Sequence, residues 1–318
     1  MEKMKQTRAI ILAAGKGTRM RSQMAKVLHP LCGKTLVDHV IGANQAAGIA
    51  DIAVVVGYQA EAVRAHLPEG IQVFEQKEQL GTGHAVMQAL PFIENFDGNV
   101  LILVGDAPLI RGETLKGLVE AHEQGGYAAT VLTANFDDPT GYGRIVKDGD
   151  TLVKIVEEKD ASTVEKSIHE INSGMYCFDA KALCLALSKM TNENAQHEYY
   201  LTDSIEILRN AGSRVGSFPT PDCRDIVAVN SKAQLAEAGA IMRERINRKW
   251  MDAGALIVDP KHTYLSCGTT VGQDAMIYPG VITEGTVHIG KGAVVYPSVI
   301  IDRDIEDGEH VAGCQVIK

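Results

Sequence analysis

The residues with the plainest chemical purpose follow the first apolar run: Leu12-Ala13-Ala14-Gly15-Lys16-Gly17-Thr18-Arg19-Met20. Small residues let backbone N–H groups come close to a ligand, and Lys16 and Arg19 add two cations beside them. That pairing suits a triphosphate, whose departing pyrophosphate gathers negative charge that must be neutralised. The loop is not a Walker A motif, because no Gly-Lys-Ser/Thr closes it. It is not a dinucleotide fingerprint either, since Met20 stands where the third glycine belongs. Taken alone, such a segment is more often a turn with two solvated cations.

Two oxygen-bearing side chains sit just beyond apolar runs. Asp106 follows Val100–Val104, and Asn230 follows Ile226–Val229. A carboxylate and an amide oxygen suit Mg²⁺, which keeps several waters and completes its shell with phosphate oxygens. Asp106 could instead cap a helix ahead of Pro108. The ten histidines and six cysteines show no metal-binding spacing.

These residues need elements to hold them. Short apolar runs alternate with amphipathic stretches over the first two thirds of the chain, as in α/β domains with parallel sheets. Strands are expected at 8–13, 52–56, 100–104, 128–133 and 226–229, with helices such as 35–47 and 113–124 between them. Small or polar clusters close several runs (Ala14-Gly15, Gly57, Gly105-Asp106), at the strand ends where ligands bind in such folds. Residues 232–252 lack proline and read as one helix, closed by Gly254 and long enough, at ~30 Å, to carry the chain away from the first domain.

After Gly254 the pattern changes. Leu265, Val271, Ile277, Thr283, Ile289, Val295 and Ile301 recur every six residues, with a small or β-branched residue two places before each. That period predicts a triangular parallel β-helix with one hexapeptide per flat face. The expected domains are therefore 1–231, a linker helix at 232–253, and a short β-helix at 254–318.

Further motifs follow the glycine-rich loop in order: Lys26-Val27-Leu28-His29-Pro30, Glu78-Gln79-Leu80-Gly81-Thr82-Gly83-His84-Ala85, Gly105-Asp106, Asp138-Pro139-Thr140-Gly141-Tyr142-Gly143-Arg144, Glu157-Glu158-Lys159-Asp160, Glu170-Ile171-Asn172-Ser173-Gly174 and Glu198-Tyr199-Tyr200-Leu201-Thr202-Asp203. In order and spacing the set closely resembles the uridyltransferase half of the bacterial bifunctional N-acetylglucosamine-1-phosphate uridyltransferase / glucosamine-1-phosphate acetyltransferase. The likeness runs from about Thr7 to the first β-helix coils.

The resemblance implies a Rossmann-like nucleotidyltransferase domain, a linker helix and a left-handed parallel β-helix. It implies UTP and N-acetylglucosamine 1-phosphate as substrates, UDP-N-acetylglucosamine as product, and Mg²⁺ held by Asp106 and Asn230. Leu12, Ala13, Ala14 and Gly15 would line the nucleotide, and Gln76, Gly81 and Thr82 would read uracil. Gly105 would stand beside Asp106 at the site. Gly143, Glu157 and Asn172 would hold the sugar. Arg19 and Lys16 would face the triphosphate and Lys26 the incoming phosphate, these three being the catalytic cations. His84 and His197 are expected to be structural. A homotrimer built through the β-helix is a further expectation, with Tyr278, Val294 and Tyr296 facing outward.

Two departures stand out. Ala25 replaces the family's usual proline, so Lys26 is expected to be less rigidly held. The acetyltransferase half needs many more coils, and no acetyl transfer is expected of these 318 residues. The rival readings are a nucleotidyltransferase for another sugar or base, a non-catalytic nucleotide-sugar sensor and, least favoured, a dinucleotide-dependent oxidoreductase.

Bulk composition agrees with this picture. A net charge of −9 disfavours nucleic acid as a partner. No apolar run approaches the ~20 residues a membrane helix needs. The run after the charged N-terminus is too short for a signal peptide. Scattered cysteines without a C-x-x-C pair suit reduced thiols in the cytoplasm.

Overall fold

The computed structural model describes residues 5–318; the first four residues of the charged N-terminus lie outside the described residues. The described residues form two compact units, one of residues 5–28 with 37–228, the other of residues 29–36 with 229–318.

The first unit is built on a nine-stranded sheet. Its strands, in chain order, are β1 Thr7–Ala13, β2 Ile52–Val56, β3 Gln72–Glu75, β4 Asn99–Val104, β5 Ala129–Asn135, β6 Arg144–Asp148, β7 Thr151–Val156, β8 Glu170–Asp179 and β9 Val215–Pro219. The spatial order is β9-β5-β8-β4-β1-β2-β3, with β6 paired to β8 and β7. Strand β1 runs parallel to both β2 and β4, and the chain winds outward from it in opposite directions. Such a reversal opens a crevice beyond the carboxyl ends of the central strands. Here it lies between the loop after β1 and Gly105-Asp106, and the Gly105 N–H donates to the Leu12 carbonyl at 2.9 Å.

Both sheet faces are covered, which is why the central strands read as near-continuous apolar runs rather than alternating ones. Ile10, Ala53, Val55, Val100 and Ile102 pack into one core layer; Ala9, Ile11, Val54, Leu101 and Leu103 pack into the other.

Two expectations need correction in this unit. The sheet is mixed rather than parallel, because β8 runs antiparallel to both β4 and β5. Its reversed direction places the start of β8, with Asn172, at the sheet edge where its parallel neighbours end. The run 226–229 is not a strand: Cys223–Ile226 forms a 3₁₀ turn capped by Asp222, whose carboxylate accepts from the Arg224 N–H. Ile226 is buried as an apolar anchor of that turn. An apolar run of four carries too little periodicity to separate strand from turn.

In the second unit the helix spans Lys232–Asp252, with Ser231 as its N-cap. The segment 29–36, a hairpin of Pro30–Leu31 and Lys34–Thr35, packs here although it lies within the sequence of the first unit. The remaining residues form short parallel strands stacked in three sheets, as in a parallel β-helix. Leu265, Val271, Ile277, Thr283, Ile289 and Val295 all point into its core. The seventh expected position does not: Ile300 is buried and Ile301 is only half-buried. Register explains the slip, because Thr283 pairs with Ile300, a step of 17 residues, whereas Val271 pairs with Ile289 and Ile277 with Val295, steps of 18. The corner at Pro297-Ser298 is one residue short, and Ser298 replaces Val299 as the buried small residue. The polar slot at Thr283 is satisfied: Thr283 Oγ1 accepts from the Ser266 N–H at 2.9 Å and meets Thr269 Oγ1 at 2.5 Å.

Among the described residues, no helix is long and apolar enough to cross a membrane. All six cysteines are free thiols.

Candidate active site

At the carboxyl edge of the sheet a cleft of about 270 Å³ is lined by Leu12, Ala13, Ala14, Gly15, Lys26, Gln76, Gly81, Thr82 and Asp106. Sequence reasoning did not assign its other lining residues: Val27, Gln79, Ala85, Val104 and Glu198. All five sit inside or directly before the motifs named above, so their neighbours carried the only available signal.

Its floor carries an ion pair. The Lys26 ammonium contacts the Asp106 carboxylate, with side chains only 13% and 15% exposed. Lys26 opens the 3₁₀ turn Lys26–Leu28, and Gly17 packs against it. Gly17 has φ +58, and a Cβ there would stand 2.8 Å from the Lys26 Cβ, so only glycine lets the loop close over this side chain. Ala25, which stands where the family has proline, is buried, and the next residue, Lys26, is the one that pairs with Asp106. Asp106 caps no helix; the next one starts at Gly112 with Arg111 as N-cap.

At another wall, Gln76 follows directly after β3 and is 3% exposed. Its Nε2 donates to the Gly81 carbonyl at 3.0 Å. Gly81 has φ +107, and a Cβ would meet the Tyr199 carbonyl at 2.6 Å, so the tight approach of these two segments depends on glycine. Thr82 lines the cleft by its position, while its Oγ1 accepts from the Leu201 N–H at 3.0 Å.

Gly143, Glu157 and Asn172 form a second cluster. A Cβ on Gly143 would lie 3.5 Å from both Asn172 Cβ and Glu157 Oε2. The Asn172 N–H donates to the Gly143 carbonyl at 2.8 Å. The motif that carries Gly143 is anchored by the buried Arg144, which bonds the Tyr142 carbonyl and pairs with Glu158 at 2.7 Å. Tyr142 precedes Gly143 in that motif, and its phenol pKa is raised, first by burial and then by the Asp106 charge.

Burial raises the Glu157 pKa, against a hydrogen bond from Thr202 Oγ1 at 3.2 Å, with the charges of Asp160 and Glu198 adding to the rise. Asp203 was not anticipated as part of this group. Burial, and then the Glu157 charge, push its pKa from 3.8 up to about 6. A raised carboxyl pKa contributes stability that is whole below about pH 3.8 and is lost as pH climbs past about 6. Asp203→Asn is therefore expected to stabilise the protein at pH 7–8 by about 1–2 kcal/mol after allowing for solvent screening. The gain should vanish near pH 4, and thermal melts at the two pH values check it.

The remaining expected residues lie outside the cleft lining. Lys16 and Arg19 are exposed on the loop and on the 3₁₀ turn Thr18–Met20, whose Met20 is buried. Gly105 backs the cleft through its bond to Leu12. Asn230 belongs to the second unit, where its backbone N–H donates to Gln234 Oε1 at 2.9 Å. Among the described residues, no three His, Cys, Asp or Glu side chains gather into a metal-holding group.

A glycine-rich loop, a strand-end carboxylate and a lysine meet at the switch point of a mixed α/β sheet, where ligands bind in such folds. The chain belongs to the nucleotidyl transferase family, whose model matches residues 8–257. It is 51% identical over 283 residues to the "Bifunctional protein GlmU" of Alkaliphilus metalliredigens, covering 89% of this chain and 62% of that protein. It is 51% identical to the protein of the same name from Geobacillus sp. strain WCH70, over 87% of this chain and 61% of that one, and 48% identical to that of Clostridioides difficile. The chain thus spans about three fifths of the length of these relatives. A Bacillus anthracis structure bearing the name glucose-1-phosphate thymidylyltransferase shares the fold, with a TM-score of 0.61 and 19% identity over 74% of this chain and 94% of that one.

Proposed function

We propose that this chain is a UDP-N-acetylglucosamine pyrophosphorylase, transferring the uridylyl group of UTP to N-acetylglucosamine 1-phosphate. The observation that carries the reading is one cleft holding the Leu12–Gly15 backbone, the Lys26–Asp106 pair and the Gln76–Gly81 wall, with Gly143, Glu157 and Asn172 gathered in a second cluster. Its half-identity to the GlmU proteins supports the same reading.

The nucleophile, a phosphate oxygen of the sugar 1-phosphate, is already ionised at neutral pH, so no general base is needed. It bonds to the α-phosphorus in line while the bond to pyrophosphate breaks on the opposite side. The Leu12–Gly15 backbone and Gln76 position the nucleotide, and Glu157 and Asn172 accept and orient sugar hydroxyl and acetamido groups. Arg19 and Lys16 neutralise the triphosphate, and Lys26 guides the incoming phosphate.

A divalent ion fits the residues present, because the Asp106 carboxylate already holds a cation, the Lys26 ammonium, in a half-enclosed cleft. Mg²⁺ would be held by Asp106 and Asn230 and would neutralise and orient phosphate oxygens. The scattered cysteines and the proposed substrates favour a cytoplasmic setting for this reading.

Pyrophosphate release from UTP with N-acetylglucosamine 1-phosphate tests the function, with glucosamine 1-phosphate, dTTP and glucose 1-phosphate as comparisons. Release favouring dTTP with glucose 1-phosphate would select the rival transferase, and no release with any pair would select the sensor.

The proposal extends to a left-handed coil and a homotrimer. Leu256, Met276 and Val294 pair in register on an outward face beside Val258, Tyr278 and Tyr296, and the two tyrosines stack at 4.6 Å. Exposed apolar ladders of this kind supply the centre of subunit contacts. Light scattering across a dilution series should give three times the 34.2 kDa chain mass; a steady single-chain mass at every concentration removes the trimer.

A further inference from the structure

We infer that His84 sets the base preference of the cleft by fixing which end of the Gln76 amide is left to meet a ligand. The inference rests on reading the cleft as a UTP site. A glutamine amide carries an acceptor at one end and a donor at the other, and a flip exchanges them with almost no change of shape. Here two neighbours oppose the flip. Gln76 Nε2 lies 3.0 Å from the Gly81 carbonyl, which can only accept, and 3.1 Å from His84 Nδ1. With both amide hydrogens engaged, Oε1 is the group left over on a side chain that lines the cleft. Uracil presents an N–H at the centre of its pairing edge, where cytosine presents a lone pair. An oxygen held as acceptor pairs with the first and repels the second.

The ring must then accept at Nδ1 and carry its hydrogen on Nε2. Gln88 Nε2 donates to the His84 carbonyl at 3.0 Å and also lies 3.2 Å from His84 Nε2, so the tautomer requires the Gln88 hydrogen nearest the ring to be engaged by that carbonyl rather than by Nε2. His84 sits on the short helix Thr82–Gln88, and its ring faces Tyr199 at 6.2 Å. The histidine of the Gly-Thr-Gly-His-Ala motif, expected to be structural, thus becomes a positioning residue acting through Gln76.

Steady-state kinetics with UTP and CTP test this, read as the ratio of their kcat/KM values. His84→Ala should lower the ratio at least ~10-fold, through KM rather than through kcat at saturating UTP. His84→Asn, which can place an amide oxygen near the position of Nδ1, should restore most of it. In the unaltered protein, imidazole ¹⁵N shifts should show the Nε2–H tautomer, a readout that needs no variant to fold. A ratio unchanged in His84→Ala, a folded His84→Asn as unselective as the alanine variant, or an Nδ1–H tautomer would each overturn the inference. An unaltered protein that turns over neither triphosphate refutes the proposed function instead; uracil selectivity that survives His84→Ala refutes this inference alone.

Discussion

Asp106→Ala is expected to lower pyrophosphate release at least ~10³-fold, equivalent to about 4 kcal/mol of barrier. Asp106 is the cleft carboxylate paired with Lys26, and it lies two residues beyond the end of the central strand β4. Its removal takes away the anionic anchor of the proposed Mg²⁺ site and the group that fixes the lysine ammonium. Both losses fall on charge placement, which carries most of the catalysis in phosphoryl and nucleotidyl transfer. The fold should survive, because Asp106 caps no helix and packs into neither apolar layer. Near-normal turnover by the alanine variant, or by the unaltered protein in excess chelator, would remove the metal assignment. A matched thermal melt separates lost chemistry from lost structure.

Arg19→Ala should cost ~10²–10³-fold in kcat, about 3–4 kcal/mol, with much less effect on UTP affinity. Arg19 is exposed on a turn pinned by the buried Met20, so the substitution changes charge at a fixed place without disturbing packing. Pyrophosphate gains negative charge as it leaves, so a guanidinium there stabilises the transition state more than the bound triphosphate. Single-turnover kinetics distinguish the cases: loss of binding with unchanged turnover of bound substrate would make Arg19 a ground-state ligand only. Compared with Asp106, Arg19 has a cationic neighbour in Lys16 that is proposed to face the triphosphate as well, and the expected loss is smaller for that reason.

Much of this protein is legible in local pattern. The strand Ile52–Val56 and the helix Lys232–Asp252 form over the residues that apolar runs and propensity indicate. The period of six identifies six of seven core positions in the β-helix. The glycine-rich loop and the strand-end Asp106 stand out because chemistry at the carboxyl edge of such sheets needs small residues and charges at strand ends.

What only the tertiary structure decided concerns direction and distance. Nothing local tells strand β8 to run against β4 and β5, since an antiparallel core strand and a parallel one bury the same apolar residues. Yet that reversal brings Asn172 to the cleft end of the sheet, against Gly143 and Glu157. The Lys26–Asp106 pair joins residues 80 apart in the chain, and Asp203 acquires its raised pKa first from burial and then from the distant Glu157, with the nearby Glu206 adding less. The shift from Ile301 to Ile300 arises at a corner one residue short, which a strict period cannot register. Periodicity records which faces are buried; strand order, register and the meeting of distant charges are set by packing across the whole sheet.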